Sequence, residues 1–163
     1  MSKVQFCTQE WLDQCAQNYN ESPDLQKLLK TLTVKMSYRV KSEPELGFEN
    51  SVIFCTFFEK GTLTKACFLS EEQAIDKSEF LVAAPASRWM SLLRKKSKFA
   101  VDFALGKVKL EIGSKVGVLA VAPYAGYVVN MLSHGELQYP DEMTSGELAE
   151  YSQTIETLRE SLG

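Results

Sequence analysis

The feature that most constrains this chain is an almost uncharged stretch of nineteen residues in its C-terminal half. It runs from Lys115, its one charged residue, to Ser133, and it is interrupted by Gly117, Pro123 and Gly126. A chain of 163 residues must place this apolar surface either entirely in its core or partly around a cavity for an apolar molecule. The stretch barely reaches the length of a transmembrane helix, and its proline and glycines count against membrane insertion.

The composition is that of an ordinary globular protein of one domain, with 45% hydrophobic and 24% charged residues. A net charge of −3 gives no overall attraction to nucleic acid, and we predict no nucleic-acid partner. The N-terminus shows no basic segment followed by an apolar one, so we expect no signal peptide and a cytoplasmic location.

The four cysteines show no Cys-x-x-Cys spacing, and the chain has a single histidine, His134, which we expect at the surface. We predict neither a metal site nor a cofactor. All four cysteines are expected to be reduced thiols, mostly in the core, with Cys55 and Cys67 favoured as the buried pair because both lie in strand-like runs.

The hydrophobic periodicity changes several times along the chain. It predicts helices at about 8–19 and from 22, followed by strands at 34–40, 52–58 and 62–69 and a short strand at 80–84. Helices are then predicted from Pro85 and from a Ser97 cap, and another strand at 108–112. The remaining predictions are a helical segment from about Ser114 that is broken at Pro123, and a helix from Ser145 to Leu162. The strand at 34–40 reads as half-buried and the one at 52–58 as buried on both faces. The predicted fold class is α+β: a single domain with a five-stranded, largely antiparallel sheet and helices covering one face.

Residues 103–113 read Phe-Ala-Leu-Gly-Lys-Val-Lys-Leu-Glu-Ile-Gly, which is a helix end, a Gly-Lys-hydrophobic-Lys-hydrophobic strand and a glycine turn, followed by the apolar helix. Together with the upstream strand hairpin and a helix bearing Trp89, this order resembles the sterol carrier protein type-2 (SCP2-like) family over roughly residues 25–132. The chain differs at Pro123 and Gly126, which interrupt the apolar helix, and in its acidic C-terminal helix. We assign 1–143 to the lipid-binding domain and 144–163 to this extra helix, packed on the same domain.

The resemblance implies a non-enzymatic intracellular lipid carrier with a hydrophobic tunnel between sheet and helices. Its expected partner is a hydrophobic small molecule: a fatty acid, fatty acyl-CoA, sterol or phospholipid, bound and transported without chemical change. The oligomeric state stays open. The residues that we predict to line the tunnel are Trp89, Leu92, Leu93, Phe99, Phe103, Leu119, Tyr127, Val128, Met131 and Leu132.

Charge is unevenly spread along the chain. Basic residues that could contact an anionic head group, or transiently an anionic membrane, are Arg88, Arg94, Lys95, Lys96 and Lys98. The segment from Glu136 to Glu160 is strongly acidic, which suggests the hypothesis that the C-terminal helix covers the basic residues and gates the tunnel. The alternative is that both charged faces are simply solvated.

Two other functions are compatible with the sequence. A small isomerase could use one carboxylate and one or two tyrosines for enolate chemistry, with Asp102, Tyr124 and Tyr127 as the candidates, although Asp102 is expected on a solvent-facing helix surface. A protein interaction module with a fully packed core is the second. We predict no catalytic residues, since the chain has no nucleophile, phosphate-loop or dinucleotide motif.

Overall fold

The computed structural model describes residues 3–163. Its elements are β1 (Val4–Gln5), α1 (Gln9–Asn20), α2 (Pro23–Leu28), β2 (Val34–Lys41), β3 (Val52–Glu59), β4 (Thr62–Leu69), α3 (Glu71–Lys77), β5 (Phe80–Pro85), α4 (Ala86–Leu93), α5 (Phe99–Ala104), β6 (Lys109–Ile112), α6 (Lys115–Val121), α7 (Ala125–Leu132), β7 (Leu137–Gln138) and α8 (Ser145–Ser161). Short 3-10 turns lie at Pro44–Leu46, Ala122–Tyr124 and Pro140–Glu142.

The main sheet has five strands in the order β4-β3-β2-β5-β6. The predicted hairpin of β3 and β4 is confirmed, and β2 pairs antiparallel with β3. The fourth strand, β5, pairs parallel with β2, and β6 returns antiparallel to β5. A parallel pair needs a crossover connection, and α3 supplies it between β4 and β5. The α+β fold class with a mostly antiparallel five-stranded sheet is therefore confirmed.

Helix α3 was not predicted, and it corrects the expectation that helices cover one face only. Its start is marked by a capping box, in which the Ser70 hydroxyl accepts from Gln73 and the Gln73 side chain accepts from the Ser70 backbone. Ala74 packs against Ile53, Cys55 and Leu81 on the second face of the sheet. The helix has one buried apolar position, so its sequence lacks the apolar stripe that reveals a longer helix.

This second covered face also changes two burial predictions. Ser37 is fully buried, and its hydroxyl lies 2.6 Å from that of Ser78, so the polar face of β2 is covered at this residue, although Lys35 on the same face is exposed. Cys67, on the edge strand β4, is only half-buried, whereas Cys7 and Cys15 are fully buried. The preference for Cys55 and Cys67 as the buried pair was therefore wrong for Cys67.

The first face of the sheet carries the larger core. Two indole N–H groups connect the helices on this face to the rest of the chain. Trp11 on α1 donates to the backbone oxygen of Leu132 at 2.8 Å, and Trp89 on α4 donates to that of Arg39 at 2.9 Å. The first bond satisfies the carbonyl at the end of α7 and the second a carbonyl within β2, while both indole rings stay in the core.

The apolar segment forms α6, a 3-10 turn and α7, so the predicted break at Pro123 is confirmed. The Ser114 hydroxyl caps α6 by accepting from the Gly117 N–H at 3.1 Å. The preceding helix α5 has Lys98 at its N-cap position without a side-chain cap, so the predicted Ser97 cap was wrong by one residue.

The acidic helix α8 packs through Tyr151 and Ile155, which are both buried in the larger core. The Tyr151 hydroxyl donates to the backbone oxygen of Phe6, close to a small parallel sheet formed by β1 and β7. Three parts of the chain therefore stabilise one another: the N-terminal segment, the segment that follows α7, and helix α8.

Gly117 is required by the contact of α6 with the sheet. A Cβ atom at this position would lie 2.5 Å from Cζ of the buried Phe80 ring, which is too close without movement of the helix. We predict that Gly117→Ala lowers the free energy of unfolding by about 1–2 kcal/mol, because overpacking outweighs the helix propensity of alanine. Urea denaturation measures this change.

Gly126→Ala is the matched control, since a Cβ at Gly126 on α7 meets no atom within 4 Å. Helix propensity should then act alone and raise the stability by about 0.5–1 kcal/mol. Equal effects of the two substitutions would contradict the packing explanation.

Candidate functional site

A cavity lies between the first face of the sheet and the helices α4, α5, α6 and α7. The cavity has a volume of ≈ 730 Å³ when its open mouth is included. The volume in which the centre of a water molecule fits is much smaller, ≈ 70 Å³. The sheet side is lined by Val34, Met36, Tyr38, Phe54, Thr56 and Phe58, together with Phe6 and Leu32. The helix side is lined by Trp89, Leu92, Leu93, Phe99, Val121, Ala122, Tyr124, Ala125, Val128, Val129 and Leu132.

The lining follows directly from the periods of the elements. On β2, Val34, Met36 and Tyr38 alternate and so point to one face. On α4, Trp89 and the pair Leu92 and Leu93 are three and four residues apart and share one face of the helix. The cavity is therefore a gap between two regularly patterned surfaces.

Six of the predicted tunnel residues line the cavity: Trp89, Leu92, Leu93, Phe99, Val128 and Leu132. The other four do not. Leu119 is exposed on the outer side of α6, Met131 is buried in the core, and Phe103 stacks on Phe99 with its ring centroid 5.9 Å away. Tyr127 is half-buried and packs at the edge of the core. In the apolar segment the helical phase is hidden because nearly every residue is hydrophobic.

The strand side of the cavity was missed. Its signal was present, since the alternation in 34–40 already marked Val34, Met36 and Tyr38 as one face of a strand. The pattern of the apolar helix does not by itself indicate that this face of β2 forms the opposite wall of the cavity. Phe54 stacks on Tyr38 with centroids 4.8 Å apart, which holds both rings against the cavity.

The polar groups of the lining side chains are three hydroxyls and the indole N–H of Trp89, which donates to Arg39. The Tyr38 hydroxyl and Oγ1 of Thr56 are 2.8 Å apart and buried, and the Tyr124 hydroxyl lies 3.0 Å from Oγ1 of Thr31. Burial raises the pKa of Tyr38 above its ordinary value, so the phenol stays protonated. Tyr38 and Thr56 share one hydrogen bond but carry two protons, so one O–H has no acceptor within residues 3–163. Among the described residues no charged side chain lines the cavity.

Asp102 is buried, so its predicted solvent-facing position was wrong. Its carboxylate lies 3.6 Å from the Arg88 guanidinium, and Oδ2 has no hydrogen-bond partner among the described residues. Asp102 and Tyr127 do not line the cavity, whereas Tyr124 does. The arrangement that an isomerase would need is not assembled there. The described residues also contain no cluster of three or more potential metal ligands.

The five basic residues divide into two groups. Arg88 pairs with Asp102, and Arg94 forms two bonds of 2.7 Å to the carboxylate of Asp141 while its guanidinium lies 4.2 Å from the Tyr139 ring centre. Lys95, Lys96 and Lys98 are exposed and form no ion pair with any described residue.

The acid that pairs with Arg94 precedes α8 and is not part of it. Within α8, Glu147 accepts from Gln138, and Glu156 accepts from Arg159 and Asn50. No described residue of α8 lines the cavity. The hypothesis that this helix covers the basic residues and gates the tunnel is therefore wrong, because no described residue of α8 forms an ion pair with any of the five basic residues or lines the cavity.

Comparison of the fold with solved structures gives consistent neighbours. A crystal structure of sterol carrier protein 2 aligns with a TM-score of 0.62 at 20% identity, covering 77% of this chain and 95% of that protein. The chain has the sterol carrier protein 2 fold. A conserved hypothetical protein from Thermus thermophilus, suggested to be a sterol carrier protein, aligns with a TM-score of 0.69 at 19% identity over 82% and 91% of the two chains. Sterol carrier protein 2 from Yarrowia lipolytica, in its apo form, aligns at 0.51 and 8% identity over 77% and 89%.

No protein-family model and no curated protein matches the sequence. At identities of 20% or less, the likeness to the solved structures concerns the fold, and the chemistry of this cavity must be argued from its own residues.

The Arg94–Asp141 pair makes a pH-dependent contribution to stability. The hydrogen bonds from Arg94 lower the pKa of Asp141 below its ordinary value. The stabilisation is therefore present above the carboxyl range and is lost as the pH falls through the lowered pKa. Because Asp141 is exposed, we expect Asp141→Asn to reduce the free energy of unfolding by only about 0.5–1 kcal/mol near neutral pH.

Urea denaturation near neutral pH and again well below the ordinary carboxyl range checks this prediction, and the difference between variant and wild type should vanish in acid. Asp76→Asn is the control, because Asp76 is exposed and forms no ion pair among residues 3–163. A deficit of D141N that persists in acid would mean that the charge of Asp141 is not the cause.

Proposed function

We propose that this protein is a non-enzymatic intracellular carrier that holds a long apolar molecule in the cavity and releases it unchanged. The observation that carries the proposal is the lining, which is apolar apart from three hydroxyls and one indole N–H and contains no charged residue among those described. An acid–base reaction would need a titratable group near neutral pH within reach of the ligand. An open apolar cavity also argues against an interaction module with a fully packed core.

The size of the cavity favours a slender ligand. An alkyl chain can follow a narrow gap, whereas a fused ring system would have to widen a space in which the centre of a water-sized sphere reaches only ≈ 70 Å³. Burying about sixteen methylenes at roughly 0.8 kcal/mol each gives on the order of 13 kcal/mol. An association cost of about 5 kcal/mol, near the low end of the usual range of about 4–15 kcal/mol, would leave about 8 kcal/mol. That corresponds to a micromolar affinity, which suits a carrier that must release its cargo.

The head group of the ligand has two positions available. A carboxylate or phosphate would lose its hydration among the apolar residues, so a fatty acid, acyl-CoA or phospholipid would keep its charged end at the mouth. A neutral hydroxyl could instead reach the spare O–H of the Tyr38 and Thr56 pair. The four free cysteines of the chain suit a reducing compartment, and we assign the carrier to the cytoplasm.

Filling the cavity tests the carrier function. Ala125 lines the cavity, so Ala125→Phe places a ring in the space that the ligand would take. We expect the affinity for a fluorescent long-chain fatty acid, measured by titration, to fall at least about tenfold. Ala120→Phe is the matched control, because Ala120 is exposed on α6 and does not line the cavity. Equal binding by both variants and wild type would contradict a ligand site in this cavity.

Removing both hydroxyls tests the head-group preference. A single substitution would only free the other hydroxyl, so the double variant Tyr38→Phe/Thr56→Val is needed. Replacing both partners by apolar groups of similar shape should leave stability nearly unchanged. We expect displacement of the fluorescent probe by 1-dodecanol to weaken about threefold to tenfold, corresponding to one lost hydrogen bond, while displacement by dodecane stays constant. Equal changes for both competitors would show that the hydroxyls do not contact the ligand.

A further inference from the structure

The outer faces of α5 and α6 carry an unusual amount of exposed apolar surface. Within the described part of the chain six large apolar side chains are exposed, and four of them are Val101 (51%), Leu105 (65%), Val116 (79%) and Leu119 (54%). These four residues fall between 101 and 119, on α5 and α6 or directly after α5, and none of them lines the cavity. We call them the outer apolar patch. Apolar side chains concentrated in this way mark an interaction site more often than isolated ones do.

Both helices have two different apolar faces. On α6, Val118 and Val121 face the core and the cavity, whereas Val116 and Leu119 lie about half a turn away on the outer side. On α5, Phe99 lines the cavity, and Val101 is two residues further along, on the opposite side of the helix. Each helix is therefore a single-layer wall with the cavity on one side and solvent on the other.

In the part of the sequence that contains the outer apolar patch, the unpaired charges have one sign. Between 95 and 122 the exposed lysines are Lys95, Lys96, Lys98, Lys107, Lys109 and Lys115, and none of them forms an ion pair with a described residue. The two acids in this range are already used, since Asp102 is buried against Arg88 and Glu111 bonds Arg39 at 2.8 Å. The region is strongly basic although the whole chain has a net charge of −3.

We propose that the outer apolar patch and its lysines dock this protein on an anionic phospholipid bilayer, with α5 and α6 lying in the interface. Helices that expose apolar side chains beside lysines bind in this way, with the apolar face below the head groups and the ammonium groups among them. A symmetric second copy would bring the same lysines together, and their repulsion opposes that interface. The inference rests on the proposed carrier function, because docking here would bring the cavity wall directly to the source of the cargo.

The apolar part of the proposal is tested by co-sedimentation with phosphatidylcholine vesicles that contain or lack phosphatidylserine. We expect wild type to bind the anionic vesicles, more weakly at high salt, and Val116→Gln/Leu119→Gln to bind at least about fivefold more weakly. Leu28→Gln/Ile75→Gln is the matched control, since these two residues are similarly exposed elsewhere in the fold. Equal losses in the two double variants would overturn the assignment of the surface.

The charged part uses Lys98→Gln/Lys107→Gln/Lys115→Gln, expected to lose about tenfold in binding to anionic vesicles. The control is Lys27→Gln/Lys30→Gln/Lys77→Gln, three exposed lysines that also form no ion pair with a described residue. Light scattering measures the oligomeric state and so tests whether a second copy of the chain covers this surface instead. A wild-type dimer that V116Q/L119Q converts to a monomer would overturn the proposal in favour of a second copy.

Fatty-acid titration without vesicles separates this inference from the carrier function. V116Q/L119Q should bind the fluorescent fatty acid like wild type, because neither residue lines the cavity. Loss of vesicle binding with intact fatty-acid binding supports the docking surface. Fatty-acid binding with no vesicle binding in wild type overturns the docking surface alone. Vesicle binding through this surface with no fatty-acid binding overturns the carrier function alone.

Discussion

The cavity depends on how the apolar segment is held against the sheet. At one end, Gly117 lets α6 approach so closely that an added Cβ would lie 2.5 Å from the Phe80 ring. At the other end, the Trp11 indole donates to the backbone oxygen of Leu132 at 2.8 Å. Between these two contacts the segment presents Ala122 and Ala125, which are too short to fill the space above the strands. The gap follows from these two close contacts together with the two alanines among the larger residues of the segment that line the cavity.

An apolar gap of this kind has an energetic consequence. Its lining atoms lack contacts on one side, so the empty protein is less stable than one whose side chains fill the space. A ligand that binds only the folded protein restores those contacts and raises the apparent stability. The contact at Phe80 and the bond from Trp11 hold the two ends of the apolar segment, and neither involves the ligand. The segment therefore stays in place when the cavity is empty.

Much of the fold was predictable because local pattern and tertiary packing agree there. The hairpin of β3 and β4, the helix at Trp89 and the break at Pro123 each carry a clear period or a residue with one backbone role. Helix α3 was missed because one buried residue, Ala74, gives it no stripe. Asp102 was misplaced because a carboxylate on a short helix is normally exposed, and its burial beside Arg88 depends on tertiary structure.

The candidate site shows the same division. Residues on α4 were placed correctly since polar neighbours reveal which face of that helix is apolar, as with Arg88 beside Trp89. On α6 and α7 the near absence of polar residues hides the helical phase, so Leu119 and Met131 were assigned to the wrong side. The basic residues could not be separated by sequence, because Arg94 meets Asp141 across 47 positions. Only the fold distinguishes that paired arginine from the exposed lysines near it.

Native mass spectrometry of the freshly purified full chain, with extraction and identification of whatever co-purifies, tests the carrier function most directly. We expect a population heavier than the apo protein by the mass of one long-chain lipid, and a shift to that form when fatty acid is added to stripped protein. An apo mass alone, unchanged when oleate or palmitoyl-CoA is added, would contradict the carrier function and mean that the apolar segment serves only to complete the core.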